Sequence, residues 1–322
     1  MRPDVAAAIR PDAPAAVARR PRLMAGAGSG VAAVALLLTS GCLYSPPDQL
    51  PSSVRILYSK HDVDSLTGGT DIWFIVARKG NELRLTGDDG EDTQPFFAPG
   101  IRRVFFTRRP PAGREEIWSM DLDGNDERRI LGGEGADYRD PAVAPDDRRI
   151  AFTMARGARS EVMVADLDAA NARPLAAGLT ASQPAWSPDG RTLAIVGEEG
   201  GRKRILLVPA EGGPPRALTP GGSETQSEPD WSPDGARIVY TAGEGRGAEI
   251  MVATVAGGEA RRLTDNDVED RSPAWSTTGA RIAFVSRRPD GKENLWLVDP
   301  DGEDLDDLTD YDEDEARDPD WL

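Results

Sequence analysis

The sequence predicts an all-β fold, a six-bladed β-propeller made of four-stranded antiparallel blades. The first observation is a repeat: QPAWSPDGRTLAIV at residues 183–196 returns 45 residues later as EPDWSPDGARIVYT, and further gapless copies begin at Gln94, Asp140 and Ser272. The second observation is that one more copy is divided between the two ends of the sequence. A fixed period of this length is typical of radial or stacked architectures.

Each repeat contains four short β segments. In the copy from Glu228, PDWS is the first segment, SPDG turns the chain into RIVY, and EIMV and RRLT are the third and fourth. Runs of about four to six apolar and β-branched residues bounded by Gly, Pro and Asp are typical of strands. Two aliphatic residues thirteen positions apart mark the third and fourth segments, at Ile72/Leu85, Ile117/Ile130, Val162/Leu175, Ile205/Leu218, Ile250/Leu263 and Leu295/Leu308.

The segments between these aliphatic pairs contain turn signals. DLDGND from Asp121 and DPDGED from Asp299 superficially resemble calcium-binding loops, but they lack the Gly at position six and the Glu at position twelve of an EF-hand. Asp, Asn and Gly tolerate the positive φ of a tight hairpin. We therefore interpret both segments as turns.

The divided copy predicts a closed ring. DPDWL at residues 318–322 matches the opening of a repeat, and PSSVRILYS from Pro51 aligns without gaps to PDGARIVYT from Pro233. If the last strand pairs with the first blade, Trp321 lies beside Ile56 and the sheet array has no exposed edge. We expect one propeller domain over residues 54–322.

Four tryptophans recur at one position per repeat, namely Trp186, Trp231, Trp275 and Trp321. A large apolar side chain at the same place in successive blades favours packing between blades over ligand stacking. We expect the loss of one of them to cost about 3 to 5 kcal/mol of stability.

Composition narrows the function. The chain of 322 residues has a formal net charge of −17, which repels phosphate backbones and disfavours a nucleic-acid partner. One Cys and one His exclude a disulfide framework and almost every Cys/His metal site. We expect a monomer without a cofactor, and leave Ca²⁺ binding by acidic loops open.

The amino-terminal region predicts export. Arg19, Arg20 and Arg22 precede the apolar stretch VAAVALLLTSGC, which is too short to span a bilayer of about 30 Å. LLLTSGC resembles the lipobox of bacterial lipoproteins, although Thr39 stands where Leu is usual. The resemblance implies an export signal over residues 1–41, a lipidated Cys42 and a Pro-rich tether over residues 42–53. Leu43, rather than Asp, follows the cysteine, and in this the sequence resembles lipoproteins that are sorted to the outer membrane. The alternative is ordinary signal cleavage with an incidental cysteine.

The repeat PxWSPDGxxIxF with a downstream LT resembles the TolB-like, or PD40, propeller repeat over residues 51–322. This family includes periplasmic proteins, accessory domains of peptidases and envelope lipoproteins. The resemblance implies a propeller that binds other envelope components. A G-x-S-x-G elbow is absent from the sequence, and one histidine, His61, does not supply the several histidines of the metal-dependent lyases that resemble this fold. We therefore predict that the chain is not an enzyme.

Two sets of residues are candidate binding sites. Polar residues just before each first-strand proline are expected to line the mouth of the channel: Asp92, Arg139, Asp140, Ser182, Ser227, Arg271, Ser272, Arg317 and Asp318. Acidic loops between blades form a second candidate, here called the acidic sector: Asp88, Asp89, Asp265, Asp267, Asp270, Asp312, Glu313 and Asp314. The alternative for both sets is a solvated surface with weak ion pairs.

The leading functional hypothesis is a non-enzymatic scaffold, lipid-anchored in the bacterial envelope, that binds a protein or peptidoglycan-associated partner through its funnel face. A sensor of a saccharide, a small ligand or Ca²⁺ in the channel is the second hypothesis. A hydrolase or lyase that uses His61 is the third.

Overall fold

The computed structural model describes residues 55–61, 69–76, 82–87, 89–133, 135–220, 223–257, 260–309 and 315–322. The predicted export signal over residues 1–41, Cys42 and the tether over residues 42–53 lie outside the described residues. Asp88, Asp312, Glu313 and Asp314 of the acidic sector also lie outside them. No helix in the described ranges has the length and apolar character needed to cross a membrane.

The described residues form 24 strands and one short 3-10 helix, Gly245–Gly247. In chain order the strands are β1 Arg55–His61, β2 Thr70–Val76, β3 Glu82–Arg84, β4 Glu91–Ala98, β5 Arg103–Arg109, β6 Glu116–Asp121, β7 Arg128–Leu131, β8 Asp137–Val143, β9 Arg149–Arg156, β10 Arg159–Asp166, β11 Arg173–Pro174, β12 Ala181–Trp186, β13 Thr192–Glu199, β14 Arg202–Pro209, β15 Arg216–Ala217, β16 Gln226–Trp231, β17 Arg237–Ala242, β18 Glu249–Thr254, β19 Arg261–Arg262, β20 Asp270–Trp275, β21 Ile282–Arg287, β22 Glu293–Val298, β23 Leu305–Asp307 and β24 Glu315–Trp321.

These strands make six four-stranded antiparallel sheets, which confirms the predicted propeller. Blades 1 to 5 consist of β4–β7, β8–β11, β12–β15, β16–β19 and β20–β23, and blade 6 has the order β24-β1-β2-β3. In blade 6, Ile56 is the register partner of Trp321, and the Leu322 amide donates to the Arg55 carbonyl at 3.0 Å. The predicted closure of the ring by the last strand is therefore confirmed.

Apolar side chains of adjacent blades pack against one another. Val239 and Val252 of blade 4 share a cluster with Ile282 and Phe284 of blade 5, and all four are buried. The second and third strands read as continuous apolar runs because neighbouring blades cover both of their faces. Packing of apolar side chains therefore joins adjacent blades.

The four recurring tryptophans pack between blades, as predicted, and three of them also donate a hydrogen bond to the preceding blade. The Trp186 indole donates to the Ala142 carbonyl of the preceding blade at 3.0 Å. Trp231 and Trp321 donate to the equivalent alanine carbonyls of their own preceding blades at 3.1 and 3.0 Å. Each of these side chains is less than 9% exposed, so packing and a hydrogen bond act together at the joint.

The turns follow from local sequence. In the SPDG turn of blade 3 the Gly190 amide donates to the Ser187 carbonyl at 2.8 Å, and the φ of Gly190 is 67°. In DLDGND, Asp121 Oδ1 accepts the amides of Asp123 and Asn125, at 3.1 and 2.7 Å. These hydrogen bonds confirm a turn where the sequence superficially resembles a calcium loop.

Five of the six aliphatic pairs are joined by a backbone hydrogen bond between the third and fourth strands, for example by the Leu263 amide donating to the Ile250 carbonyl at 2.8 Å. In blade 1 the two residues also lie in the third and fourth strands, β6 and β7, but Leu131, rather than Ile130, is the register partner of Ile117. A β-bulge follows Ile117 and shifts the outer strand by one position.

Candidate functional site

A β-bulge in every innermost strand shapes the centre of the ring. In blade 3, Ser182 pairs with Val196 and Ala185 pairs with Ala194, so that Gln183 and Pro184 together oppose a single residue. The same shift occurs at the first-strand proline of all six blades. Proline suits the bulge because it has no amide to donate to the ladder.

The residue before each of these prolines has a left-handed backbone. The six are Gln94, Asp140, Gln183, Glu228, Ser272 and Asp318, with φ between 49° and 54°. We call them the channel-mouth ring. A positive φ is unfavourable for residues other than glycine, and residues with such a strained backbone cluster at functional sites. The bulge also changes the direction of a side chain relative to a regular strand.

Hydrogen bonds run around the channel-mouth ring from blade to blade. The Asp140 amide donates to Gln94 Oε1 at 3.1 Å, and the Glu228 amide donates to Gln183 Oε1 at 3.1 Å. The Ser272 amide donates to Glu228 Oε2 at 2.8 Å. Two longer contacts, at 3.3 and 3.4 Å, bring the links among the described residues to five. The side chains are thus held in place before any ligand arrives.

Charge alternates around the channel-mouth ring. Blades 2, 4 and 6 contribute the carboxylates Asp140, Glu228 and Asp318, whereas blades 1, 3 and 5 contribute Gln94, Gln183 and Ser272. Each carboxylate therefore has a neutral neighbour on both sides. Burial raises the pKa of Asp140 and that of Asp318 above the ordinary value.

A second tier lies two residues further along each innermost strand: Phe96, Ala142, Ala185, Asp230, Ala274 and Asp320. We call it the deep tier. Asp230 accepts the Trp275 amide of the next blade at 2.6 Å, and Asp320 accepts the Phe97 amide of blade 1 at 2.6 Å. Burial raises the pKa of Asp230 to about 6 and that of Asp320 to about 7, the latter also because Asp230 is near.

Both tiers line one cavity of about 430 Å³ at the centre of the propeller. All six blades contribute to its wall. Its carboxylates are Asp140, Asp147, Glu228, Asp230, Asp318 and Asp320, and no described Lys, Arg or His belongs to the lining. The six first-strand prolines supply an apolar surface between these charges. Such a concave site with a few convergent polar groups is the usual form of a binding site.

Three predicted channel residues belong to this lining, namely Asp140, Ser272 and Asp318. The other predicted residues do not: Asp92, Arg139, Ser182, Ser227, Arg271 and Arg317. Asp92 is completely buried and paired with Arg108 at 2.7 Å. Arg271 and Arg317 both contact Glu293, at 2.7 and 3.2 Å. Sequence reasoning missed Gln94, Gln183 and Glu228, although all occupy the alignment column just before the proline.

Only some residues of the acidic sector lie on the surface. Asp89, Asp265 and Asp267 are exposed, the side chain of Asp265 by 86%. Asp270 is completely buried, which corrects its assignment as a surface charge. It accepts hydrogen bonds from Ser286 Oγ at 2.6 Å and from Asn266 Nδ2 at 2.8 Å. Across the described ranges, no three His, Cys, Asp or Glu side chains are grouped so that they hold a metal ion.

Comparisons with known proteins agree with this geometry. A model of the TolB beta propeller domain, PD40, matches residues 59–212 and 140–321. A 72-residue segment is 33% identical to Tol-Pal system protein TolB 1 of Novosphingobium aromaticivorans, which is 22% of this chain and 16% of that protein.

Solved structures share the fold. TolB from Acinetobacter baumannii superposes with a TM-score of 0.71 at 19% identity, over 84% of this chain and 67% of that chain. A puromycin-hydrolyzing peptidase of Mycobacterium tuberculosis gives a TM-score of 0.55 at 19% identity, over 74% of this chain and 41% of that one. With the family model covering more than half of its length, the chain belongs to the TolB beta propeller (PD40) family.

Proposed function

We propose that this chain is a non-enzymatic propeller, lipid-anchored in the bacterial cell envelope, that binds a protein partner at the channel-mouth ring. The observation that carries the proposal is the ring itself. Six residues hold left-handed backbones at the mouth of one cavity, and hydrogen bonds between five pairs of neighbouring blades fix them. Strained residues that are held rigidly around a cavity are typical of a binding site.

The charge of the cavity supports a partner that brings positive charge. Six carboxylates line it together with the prolines, so that electrostatic complementarity favours a cationic segment. The similar protein TolB 1 is named as part of the Tol-Pal system, which supports a place in the envelope. We also propose that the propeller lies in the periplasm and that its lipid anchor is in the outer membrane.

The absence of catalysis is also part of the proposal. His61 lies in β1 opposite Thr70 and Glu315 and does not belong to the lining of the cavity. A nucleophile and a general base must lie within hydrogen-bond reach of each other. A His61→Ala substitution that abolished a hydrolytic activity would contradict this part.

Site-specific photocrosslinking tests the binding face. Phe96 lines the cavity, and p-benzoylphenylalanine is introduced at this position. Leu305, which is 51% exposed on β23, is the matched control position. In native envelopes we expect a discrete protein adduct from position 96 and none from position 305. Equal adducts from both positions, or none from position 96, would overturn the proposed binding face.

Metabolic labelling with a palmitate analogue tests the anchor. We expect label on the wild-type protein and in the membrane fraction, and loss of both in a Cys42→Ser variant. An unlabelled wild-type protein would overturn lipid anchoring and leave the binding face to the crosslinking result.

A further inference from the structure

Outside the channel, three of the four carboxylates that are 0% exposed, Asp71, Asp92 and Glu293, are neutralised by arginine, whereas the fourth, Asp270, is held by neutral donors. Asp92 forms two 2.7 Å contacts with Arg108, and Asp71 is paired with Arg84. Glu293 contacts Arg271 at 2.7 Å and is also bonded to other arginines. This is the normal arrangement, because an ionised carboxylate without a partner is costly to bury.

The channel carboxylates depart from this arrangement. Among the described residues, Glu228, Asp230, Asp318 and Asp320 form no salt bridge, and Asp140 has only Arg139 Nε, at 3.8 Å. Their hydrogen bonds come from neutral donors instead. Glu228 accepts the Ser272 amide at 2.8 Å and the Thr241 hydroxyl at 2.8 Å.

Asp318 also accepts its hydrogen bonds from neutral donors. It accepts the Ser59 hydroxyl at 2.9 Å and the Gln94 amide at 3.4 Å. Arg271 attracts Asp318 at longer range, but its guanidinium is bonded to Glu293. Apart from the 3.8 Å contact of Asp140 with Arg139, the negative charge of the cavity is therefore held in place by neutral donors and is not cancelled by a bonded cation among the described residues.

The walls of the cavity restrict the kind of cation that fits. Six prolines and the half-buried Phe96 surround the carboxylates with hydrocarbon, and the volume of about 430 Å³ exceeds what a single ion needs. Amphipathic cations such as lysine bury an apolar stem while a polar surface receives the charged end. The lining therefore matches an organic cation better than a bare metal ion.

The alternation of charge around the channel-mouth ring indicates the head group. Three carboxylates, in blades 2, 4 and 6, surround the axis with neutral residues between them. A primary ammonium carries three N–H donors around one axis. A guanidinium is instead planar and pairs best with a single carboxylate in a bidentate manner.

From these observations we infer that the channel binds a primary ammonium group on a hydrocarbon stem, with Asp140, Glu228 and Asp318 around the ammonium and Asp230 and Asp320 below it. The group comes from a lysine side chain of a partner segment or from a free polyamine. For the lysine source, the inference rests on the proposed function above. It adds the chemistry of the partner group that enters the site.

The repeat itself provides substitutions for a test. Gln stands in the ring position of blades 1 and 3, so Glu228→Gln places there a residue that the fold already accommodates. Ala stands in the deep tier of blades 2, 3 and 5, so Asp320→Ala is equally compatible. Asp265→Asn removes one exposed charge of the acidic sector and is the matched control. Near-UV circular dichroism verifies that each variant is folded.

Isothermal titration calorimetry on the full chain at pH 8 uses three probes. They are spermidine, a hexapeptide with one central lysine, and the same peptide with norleucine in place of lysine. We expect binding of at least one ammonium probe and none of the norleucine peptide. Glu228→Gln and Asp320→Ala should each weaken binding by about tenfold or more, because each leaves a desolvated ammonium with one carboxylate fewer. Asp265→Asn should leave the affinity unchanged.

The outcomes separate the sources and the alternatives. Spermidine binding alone assigns the site to a free polyamine, and peptide binding alone assigns it to a lysine-bearing partner. No heat from either ammonium probe would overturn the inference, as would equal affinities of the wild type and both channel variants. A protein adduct from position 96 without ammonium binding would leave the proposed function intact and reject only this inference.

Discussion

The amide of Ser272 donates to the carboxylate of Glu228 at 2.8 Å, and the hydroxyl of Ser272 donates to the same carboxylate at 3.0 Å. One side chain thus fixes the backbone of the next blade at a residue whose φ is 53°. Since every blade has such a position, the shape of the channel mouth depends on contacts between blades as much as on contacts within them.

Glu228→Ala should destabilise the propeller by about 1 to 3 kcal/mol, because it removes the acceptor of the Ser272 amide and of the Thr241 hydroxyl. Glu228→Gln keeps an acceptor oxygen and should remain close to the wild type. Urea unfolding followed by tryptophan fluorescence measures both. Equal losses in the two variants would mean that the charge of Glu228, and not its hydrogen bonds, stabilises the fold.

Trp231→Ala should cost about 3 to 5 kcal/mol, because the side chain is 7% exposed and packs between blades 3 and 4. Trp231→Phe retains most of the packing and loses the hydrogen bond to Ala185, so a loss of about 1 kcal/mol is expected. Thermal unfolding by calorimetry distinguishes the two. A cost below 1 kcal/mol for the alanine variant would contradict the joint between blades.

Asp320 should make stability fall as the pH rises. Its pKa is about 7 in the folded protein against an ordinary value of 3.8, so between these values the folded state binds more protons than the unfolded chain. The contribution of Asp320 to the free energy of unfolding is fully present below pH 3.8 and is lost as the pH rises through 7. The measurement is the unfolding free energy of the wild type minus that of Asp320→Ala, from pH 4 to pH 8.

This difference between the two proteins is expected to decrease steadily as the pH rises. Other carboxylates have the opposite effect, since arginines lower the pKa of Glu293, and the subtraction removes their contribution. A difference that stayed constant with pH would mean that Asp320 is ionised throughout this range.

Removal of residues 315–322 deletes β24 and exposes the edge of β1. We expect loss of cooperative unfolding and concentration-dependent association, since an unpaired edge strand pairs with other chains. A truncation that removes only Leu322 loses one hydrogen bond, from the Leu322 amide to the Arg55 carbonyl, and is the control. Size-exclusion chromatography and hydrogen exchange report the result. A monomeric truncated protein with protected β1 amides would contradict closure as a source of stability.

The fold could be predicted almost completely because repetition multiplies weak signals. A single PDWS segment is ambiguous, but its recurrence in register gives the number of blades, and the match of residues 318–322 to a repeat opening gives the closure. The site could be predicted only in part. Successive residues of a strand point to opposite faces, so choosing Ser182 or Ser227, one residue before the ring position, selects the wrong side.

Burial of charge could not be predicted from composition. Asp92 and Asp270 stand in acidic segments that also contain exposed residues, yet both are completely buried. Their partners, Arg108 and Ser286, are 16 positions away along the chain and reach them only through strand pairing. Similarly, Gln94 and Gln183 carry no charge, so composition does not mark them as site residues. Only the β-bulge directs them to the axis of the ring.

Because charged and neutral residues alternate at the channel mouth, the six-bladed ring has an electrostatic field of approximately threefold symmetry. A guest that is centred on the axis and lacks threefold symmetry of its own then has three distinguishable rotational settings of similar energy, which favours its binding by about 0.6 kcal/mol of statistical entropy. Ser272, shorter than the two glutamines, makes one sector roomier than its counterparts, so that a guest with a bulky side group loses this degeneracy and enters in a single orientation.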